Sequence, residues 1–221
     1  MRASLVEMEY SEALRLQRAR GLEGACGWLL FSCPPTVTLG RRTREDALRT
    51  PRARLEGRGV RILRVDRGGL ATFHGPGQIV GFPFGALERH VGDPRGVRAF
   101  VDALKNKLAA FVREEAGVPA ASVRVCGAHG ETGVWIGESK VAAIGLRFSR
   151  EGIAHGFALN IFADERGTEW GFGAIVPCGE PGAKPAFLYP RELNADEFTQ
   201  VAVRLEHALA SSAESAAVIS A

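Results

Sequence analysis

The chain of 221 residues is long enough to bury a sizeable core, and its 46% hydrophobic and 24% charged residues are ordinary for a globular protein. Its net charge of +3 is too small to indicate nucleic-acid binding by itself. No apolar run approaches the roughly 20 residues of a membrane span, and residues 1–10 lack the hydrophobic core of a signal peptide. We therefore expect a cytoplasmic protein without a nucleic-acid or membrane partner.

The cysteines are widely scattered and show none of the close pair spacings of a zinc site. Free thiols are the expected state in a cytosolic chain, and no metal is expected. Only four of the 28 basic residues are lysines. Each lysine is therefore of interest, because lysine titrates readily and arginine does not. The cysteines are Cys26, Cys33, Cys126 and Cys178, and the lysines are Lys105, Lys107, Lys140 and Lys184.

The first half of the chain reads as a helix followed by strands. The first predicted element is a helix over residues 10–22, whose apolar residues fit one face only loosely. An apolar strand over 28–33, broken by two prolines, resumes at 37–39. Residues 41–58 are basic and turn-rich, which favours a surface loop, and residues 60–65 alternate as a strand does.

The second half contains the strongest helix pattern. A glycine-rich turn over 68–77 precedes an apolar strand over 78–84. Apolar residues then form a clear stripe along a helix over 94–116, and a last helix over 196–211 has Asn194 or Asp196 as its cap. Four short strands are predicted over 122–126, 133–136, 139–148 and 152–161, the second and third joined by a tight turn at Gly137-Glu138.

Helices that alternate with groups of consecutive short strands indicate an α+β (α/β) fold. The sheet is expected to be mixed and mainly antiparallel, with flanking helices. No internal repeat or low-complexity linker divides the sequence, so residues 1–221 are expected to form a single domain.

The first candidate site is the stretch 67–78. Its four glycines would let the backbone pass close to a ligand, because no side chain stands in the way. The Gly-Lys-Ser/Thr ending of a phosphate-binding loop is absent. An ordinary hairpin with a rigid turn at Pro76 explains the same composition about as well.

Two further stretches carry reactive side chains. Lys140 begins an otherwise apolar strand, where a lysine is more often simply solvated. His155 and Asn160 flank a run of small residues, and a lone histidine there is more often a hydrogen-bonded core residue than a catalyst. Cys178 lies between a proline that fixes the backbone and a glycine that leaves the sulfur open. That setting suits a nucleophile on a tight turn, although a buried structural cysteine is commoner.

Together these stretches resemble the lipoyl(octanoyl) transferases, the lipoate–protein ligase B type. The resemblance covers about residues 28–180 and implies the catalytic-domain fold shared with biotin protein ligases and lipoate ligases. The matching signatures are Arg-Gly-Gly-x-x-Thr-(aromatic)-His-Gly-Pro-Gly-Gln at 67–78, Lys-(aliphatic)-x-x-(aliphatic)-Gly-(aliphatic)-Arg at 140–147, His-Gly-x-Ala-Leu-Asn at 155–160 and Pro-Cys-Gly at 177–179.

The resemblance implies transfer of an octanoyl group from octanoyl-acyl carrier protein to a specific lysine of a lipoyl domain, without a cofactor. This is the first step of endogenous protein lipoylation, and the acceptors would be lipoyl domains of 2-oxoacid dehydrogenases and the glycine cleavage H protein. Cys178 would carry the acyl group as a thioester, and Lys140 would lie beside it and lower its pKa. The implied walls of the acyl pocket are Arg67, Gly68, Gly69, Leu70, Ala71, Thr72, Phe73, His74, Ala143, Ile144, Gly145, Gly156, Phe157 and Ala158.

Elementary chemistry is consistent with these roles. A free cysteine has a pKa of about 8.5, so a neighbouring ammonium is needed to favour the thiolate at neutral pH. Arginine could supply that charge but could not exchange a proton, whereas lysine could serve both half-reactions. Each buried methylene contributes about 0.8 kcal/mol, so an apolar pocket can recognise an acyl chain without polar contacts.

Three positions depart from the family pattern. Cys33 stands where the family often has histidine, and Phe73 stands where tyrosine is common. Thr132 precedes Gly133 where the family often has aspartate or proline. These departures affect the expected fine shape of the pocket, and they do not involve Cys178 or Lys140.

Other functions remain compatible with the sequence. They are an ATP-dependent lipoate or biotin ligase on the same fold, a non-catalytic acyl-binding module, and a hydrolase that pairs Cys178 with His155. The basic cluster Arg41, Arg42 and Arg44 is usually just a solvated loop, but it could also dock an acidic carrier protein.

Overall fold

The computed structural model describes residues 5–44, 47–126, 132–164, 167–176 and 184–210. Within these ranges no helix is both long and apolar enough to cross a membrane. The helices are α1 (Tyr10–Leu22), α2 (Arg52–Glu56), α3 (Leu87–Val91), α4 (Val97–Ala116), α5 (Thr168–Gly173) and α6 (Ala195–Ala210). The strands are β1 (Gly27–Phe31), β2 (Thr36–Leu39), β3 (Arg61–Arg64), β4 (Ala71–His74), β5 (Gln78–Phe84), β6 (Val123–Cys126), β7 (Thr132–Ile136), β8 (Ser139–Ser149) and β9 (Gly152–Asn160).

The strands form two sheets. The larger sheet has the order β1-β5-β9-β8-β7-β6, and all of its neighbouring strands are antiparallel. The smaller sheet has the order β3-β2-β4, with β2 parallel to β3 and antiparallel to β4. This arrangement confirms the predicted α+β class with a mixed, mainly antiparallel pairing.

The expected interrupted strand over 28–39 is wrong in one respect, because β1 and β2 belong to different sheets. Pro34 and Pro35 lie between them and have no N–H to continue a ladder, so the chain leaves one sheet and enters the other.

The first and last helices agree closely with the sequence pattern. α1 has the predicted bounds and buries Tyr10, Ala13 and Gln17 on the face that packs against β5 and β9. At the start of α6, Asn194 Oδ1 accepts the Glu197 backbone N–H at 2.9 Å, and Glu197 Oε2 accepts the Asn194 N–H at 3.0 Å. This reciprocal capping box identifies Asn194, rather than Asp196, as the cap.

The remaining differences between the predicted and the observed secondary structure concern short elements. The expected surface loop over 41–58 contains α2, where Leu55 is fully buried beneath the smaller sheet. The expected glycine-rich turn over 68–77 contains β4, whose residues pair with β2. Helices α3 and α5 were not predicted. Elements of four to six residues are too short for periodicity to identify.

The two faces of the larger sheet pack against different partners. One face carries the core formed with α4 and α6, and the other contacts α1. β7 pairs with β8 only as far as Ala143, so the second half of β8 extends beyond it. There the Gly68 N–H donates to the Leu146 carbonyl at 3.1 Å, which fastens the loop before β4 to the larger sheet.

Candidate active site

A cavity of about 330 Å³ lies between the larger sheet, the loop that leads into β4, and Tyr10 of α1. Lys140 and every pocket residue implied by the family resemblance except Phe73 line it. Phe73 is fully buried elsewhere, between the rings of Trp170 and Phe172. The structure thus brings three separate stretches of sequence to one cavity, while their contact with an acyl chain stays a prediction.

The floor of the cavity is made of small residues on two adjacent strands. Ala143 lies opposite Ala158, and Gly145 lies opposite Gly156, in successive pairs on the same face of β8 and β9. A Cβ at Gly156 would lie only 1.9 Å from the Gly81 carbonyl oxygen of β5. The absence of a side chain there lets β5 and β9 pack together and leaves space above them.

Arg67 fixes the start of the loop that covers this floor. The residue is 6% exposed, and one guanidinium nitrogen donates to both the Thr38 hydroxyl and the Thr38 carbonyl at 2.8 Å. The guanidinium also donates to the carbonyl of Gly68 at 2.9 Å. A buried guanidinium needs such partners, so the arginine joins the loop to β2.

His74 lies next in a chain of buried polar side chains. The amide nitrogen of Gln78 donates to other partners, so its Oε1 accepts a hydrogen bond from His74 Nδ1–H at 3.0 Å. His74 Nε2 is then the acceptor for the Thr38 hydroxyl at 3.1 Å. Burial, with a smaller contribution from the Arg67 charge, lowers the pKa of His74 to about 3, in agreement with this neutral tautomer.

The chain continues to the backbone of Lys140. Gln78 Nε2 donates to Asn160 Oδ1 at 2.8 Å. Asn160 Nδ2 in turn donates to the carbonyls of Ala186 at 3.1 Å and Lys140 at 3.4 Å. Asn160, the last residue of the His-Gly-x-Ala-Leu-Asn signature, therefore joins the start of β8 to the segment that follows residues 177–183.

Lys140 is held by backbone and side-chain contacts. Its N–H donates to the Lys184 carbonyl at 3.1 Å, and its carbonyl accepts the Ala186 N–H at 2.9 Å. Its Nζ lies 4.6 Å from the centroid of the Trp135 ring. Trp135 was not predicted from the sequence to belong to the site. The signal was the two-residue turn at Gly137-Glu138, which pairs Trp135 with Lys140 across the hairpin.

Cys178 lies outside the described residues. On one side of that segment, the Val176 N–H donates to the Ala47 carbonyl at 2.9 Å, and on the other side Lys184 is bonded to Lys140. The contact between Cys178 and Lys140 stays a prediction. Cys33 is a poor alternative nucleophile, because burial raises its pKa to about 12.

His155 is a hydrogen-bonded core residue, as the simpler interpretation of the sequence predicts. Its Nδ1 is 3.0 Å from the Tyr10 hydroxyl, and its Nε2 is 2.6 Å from Asp66 Oδ1. Arg147 donates to the other oxygen of Asp66 at 2.6 Å. Burial lowers the pKa of His155, partly offset by the Asp66 hydrogen bond. Both ring nitrogens are thus engaged, which disfavours a hydrolase that uses His155 as its base.

Metal ligands do not converge in the part of the chain that the structure describes, where no three His, Cys, Asp or Glu side chains form a group that could hold an ion. The cavity instead offers an apolar floor, a basic side chain at Lys140 and a buried polar network behind both. Such a site can hold an apolar chain with a basic side chain at one end.

We expect His74 to make the fold less stable as the pH falls. The folded-state pKa of about 3 is below the ordinary value of 6.5, so the unfolded chain binds more protons between these values. Stability present above pH 6.5 is therefore lost as the pH falls toward 3, by up to about 1.4 kcal/mol per pH unit for one proton. Urea unfolding at several pH values checks this.

The matched variant is His74→Asn, because an asparagine amide can still donate to Gln78 but does not titrate. Its unfolding free energy should depend less steeply on pH than that of the wild type over the same range. Equal slopes for the two proteins would contradict the assignment to His74, since the carboxylates that also titrate there are common to both.

Solved structures show which class of fold this is. A T. acidophilum protein assigned to the lipoate protein ligases and solved with bound lipoic acid superposes with a TM-score of 0.68 at 13% identity, covering 96% of this chain and 87% of that one. Lipoate-protein ligase A bound with ATP gives 0.67 at 14% identity, covering 96% and 86%. The fold is that of lipoate ligase catalytic domains.

Sequence comparison identifies the family, which the likeness of fold does not. The sequence model of the lipoyl protein ligase A/B catalytic domain matches residues 4–174, and the chain belongs to that family. Curated relatives named octanoyltransferase include one from Chloroflexus aurantiacus, 38% identical over 183 residues that cover 79% of this chain and 76% of the relative. Another, from Alkaliphilus metalliredigens, is 36% identical over 182 residues that cover 80% and 78%.

Proposed function

We propose that this protein is an octanoyltransferase of protein lipoylation that works through a thioester on Cys178. The observation that carries the proposal is the meeting of Lys140, the loop after Arg67 and the small-residue floor at one cavity. Relatives of 36–38% identity carry the name octanoyltransferase, which supports the choice of acyl group. The donor is octanoyl-acyl carrier protein, and the acceptor is a lysine of a lipoyl domain.

In the first half-reaction, the Cys178 thiolate attacks the carbonyl carbon of the donor thioester. A bond forms between Sγ and this carbon, and the bond to the carrier sulfur breaks. The leaving thiolate takes a proton from the Lys140 ammonium, so the carrier departs as a free thiol. The octanoyl chain lies on the floor formed by the small residues of β8 and β9, where burial of its methylenes supplies the binding energy.

In the second half-reaction, Lys140 is a neutral amine and takes a proton from the ammonium of the acceptor lysine. The freed amine attacks the thioester, the C–N bond forms, and Cys178 leaves as the thiolate. The second proton of the attacking nitrogen goes to solvent, which restores the ammonium–thiolate pair. An amide is more stable than a thioester, so the sequence of steps needs no nucleotide or other cofactor.

The acceptor class follows from the family. A structural neighbour from T. acidophilum was solved in a study of a lipoate protein ligase and its E2 lipoyl domain, although the likeness to it is one of fold alone. We extend the proposal to lipoyl domains of 2-oxoacid dehydrogenases and the glycine cleavage H protein. Docking of the carrier protein on Arg41, Arg42 and Arg44 and a location in the cytoplasm stay predictions, and Arg42 also lines the cavity.

The test is the mass of the intact protein after incubation with octanoyl-acyl carrier protein. We expect an increase of one octanoyl group in the wild type and none in Cys178→Ala. Addition of a lipoyl domain should discharge the adduct and acylate the domain without ATP. Cys26→Ser is the matched control, because Cys26 is also a free cysteine and should be dispensable.

Each alternative predicts a different result. An ATP-dependent ligase would leave no covalent adduct and would need nucleotide for transfer. An acyl-binding module would hold octanoate without a covalent bond, and a hydrolase would release free acid when no acceptor is present. A wild-type protein that shows no adduct would end the thioester mechanism.

A further inference from the structure

The Trp135 ring contacts the Lys140 side chain and has no part in the proposed chemistry. It lies on β7 directly across the hairpin from Lys140. Its side chain is buried, with 6% of its surface exposed. The Lys140 Nζ lies 4.6 Å from the ring centroid, within the range of a cation–π contact.

Gly133 leaves room beside the Trp135 ring. A Cβ at Gly133 would lie 3.3 Å from Cη2 of Trp135 and 2.4 Å from the Ala142 carbonyl oxygen, so a side chain there would crowd the ring. The backbone of Lys140 is fixed by its bridge to Pro185 and by Asn160. The backbone of Lys140 is thus held, and its ammonium lies against the ring.

A cation–π contact distinguishes the two protonation states of the lysine. The negative face of the indole ring attracts the ammonium, and it has no comparable attraction for the neutral amine. The ring face is therefore suited to hold an ammonium such as that of Lys140. A charged Lys140 is what the thiolate form of a neighbouring cysteine needs.

We infer that Trp135 is a positioning residue for the Lys140 ammonium and that, in the proposed function, it favours the Cys178 thiolate through this lysine. The inference rests on the proposed function, because it takes Cys178 as the thiol that Lys140 activates. It adds a residue that no family signature of this sequence contains.

The test replaces Trp135 alone with tryptophan analogues that carry progressively more ring fluorines. Fluorination weakens the negative ring face with little change in shape, so it separates the cation–π contact from packing. We measure the rate at which iodoacetamide alkylates Cys178 as a function of pH, by mass spectrometry of the peptide that contains it. In this reaction a bond forms between Sγ and carbon, and iodide leaves.

We expect the alkylation rate at neutral pH to fall with each added fluorine, by about threefold across the series. The midpoint of the pH profile should rise in parallel. For octanoyl transfer, kcat should fall while KM for the carrier protein stays constant, because the ring does not line the cavity. Trp135→Phe should show the same direction of change with an added loss of stability.

Trp170 is the matched control, because Arg58 lies 5.2 Å from the centroid of its ring. The same analogues at position 170 should leave the Cys178 profile unchanged. Identical pH profiles across the Trp135 series would overturn the inference. Absence of an octanoyl adduct on wild-type Cys178 would instead overturn the proposed function, and the alkylation profiles would still decide whether Trp135 influences the thiol.

Discussion

Replacement of Lys140 by arginine is expected to preserve acylation of Cys178 and to slow transfer to the lipoyl domain by at least about a hundredfold. Arginine keeps a positive charge and can also lie against the Trp135 ring, so the thiolate should still form. It cannot accept the proton that the acceptor lysine must lose, because the guanidinium does not deprotonate at accessible pH. The variant should therefore separate the two half-reactions.

Single-turnover measurements check this prediction. The first follows formation of the octanoyl adduct from the carrier protein, and the second follows its discharge to an apo lipoyl domain. Lys184→Arg is the matched control, since Lys184 is exposed and contacts Lys140 only through its backbone carbonyl among the described contacts. If the Lys140→Arg variant discharges its adduct at the wild-type rate, Lys140 does not relay the proton.

Gly156→Ala is expected to have the largest effect on the fold. The added methyl group would lie 1.9 Å from the Gly81 carbonyl oxygen and 3.1 Å from the Phe82 Cα. These are backbone atoms of β5, which cannot move away as a flexible side chain can, so the strands β5 and β9 would have to separate. We expect a loss of about 3 kcal/mol in the free energy of unfolding.

Urea unfolding and thermal melting measure that loss, which corresponds to a fall of roughly 10 °C in Tm for a protein of this size. Gly173→Ala is the control, because among the described residues no atom outside its own helix backbone and chain neighbours lies within 4 Å of the position that its Cβ would occupy. We expect this control to unfold like the wild type. A Gly156→Ala protein of unchanged stability would show that β5 and β9 tolerate separation.

Features with a local cause were predictable from the sequence. The bounds of α1 and β5 and the turn at Gly137-Glu138 follow from periodicity and turn residues, and the structure agrees with them. The residues that line the cavity were predicted from a different kind of evidence. The family resemblance, rather than composition, singled out the stretches at 67–74, 143–145 and 156–158 that line it, with Phe73 as the exception.

Features that depend on contacts between distant residues were not predictable. The contact of Lys140 with Trp135 needs the register of a hairpin, and the hydrogen-bonded chain from Arg67 to Asn160 needs four strands of two sheets. Phe73 alternates with its neighbours along β4, so its side chain points away from the cavity that they line. Neither propensity nor spacing contains this information.

The backbone conformation at His155 restricts which residues can occupy neighbouring positions of β9. With φ at 61°, His155 is the one non-glycine residue in the left-handed region among those described, and Gln17 bonds both its N–H and its carbonyl. Glycine would suit this backbone better but would lose the bonds to Tyr10 and Asp66. At Gly156, in contrast, any side chain would strike β5.

The two positions therefore have opposite requirements. Position 155 needs the imidazole ring for its hydrogen bonds although its backbone favours glycine, and position 156 has no space for a side chain. They cannot exchange places. A deletion of one residue from this strand, which shifts each residue to its neighbour's position, should be far more harmful than a deletion of equal length in an exposed loop.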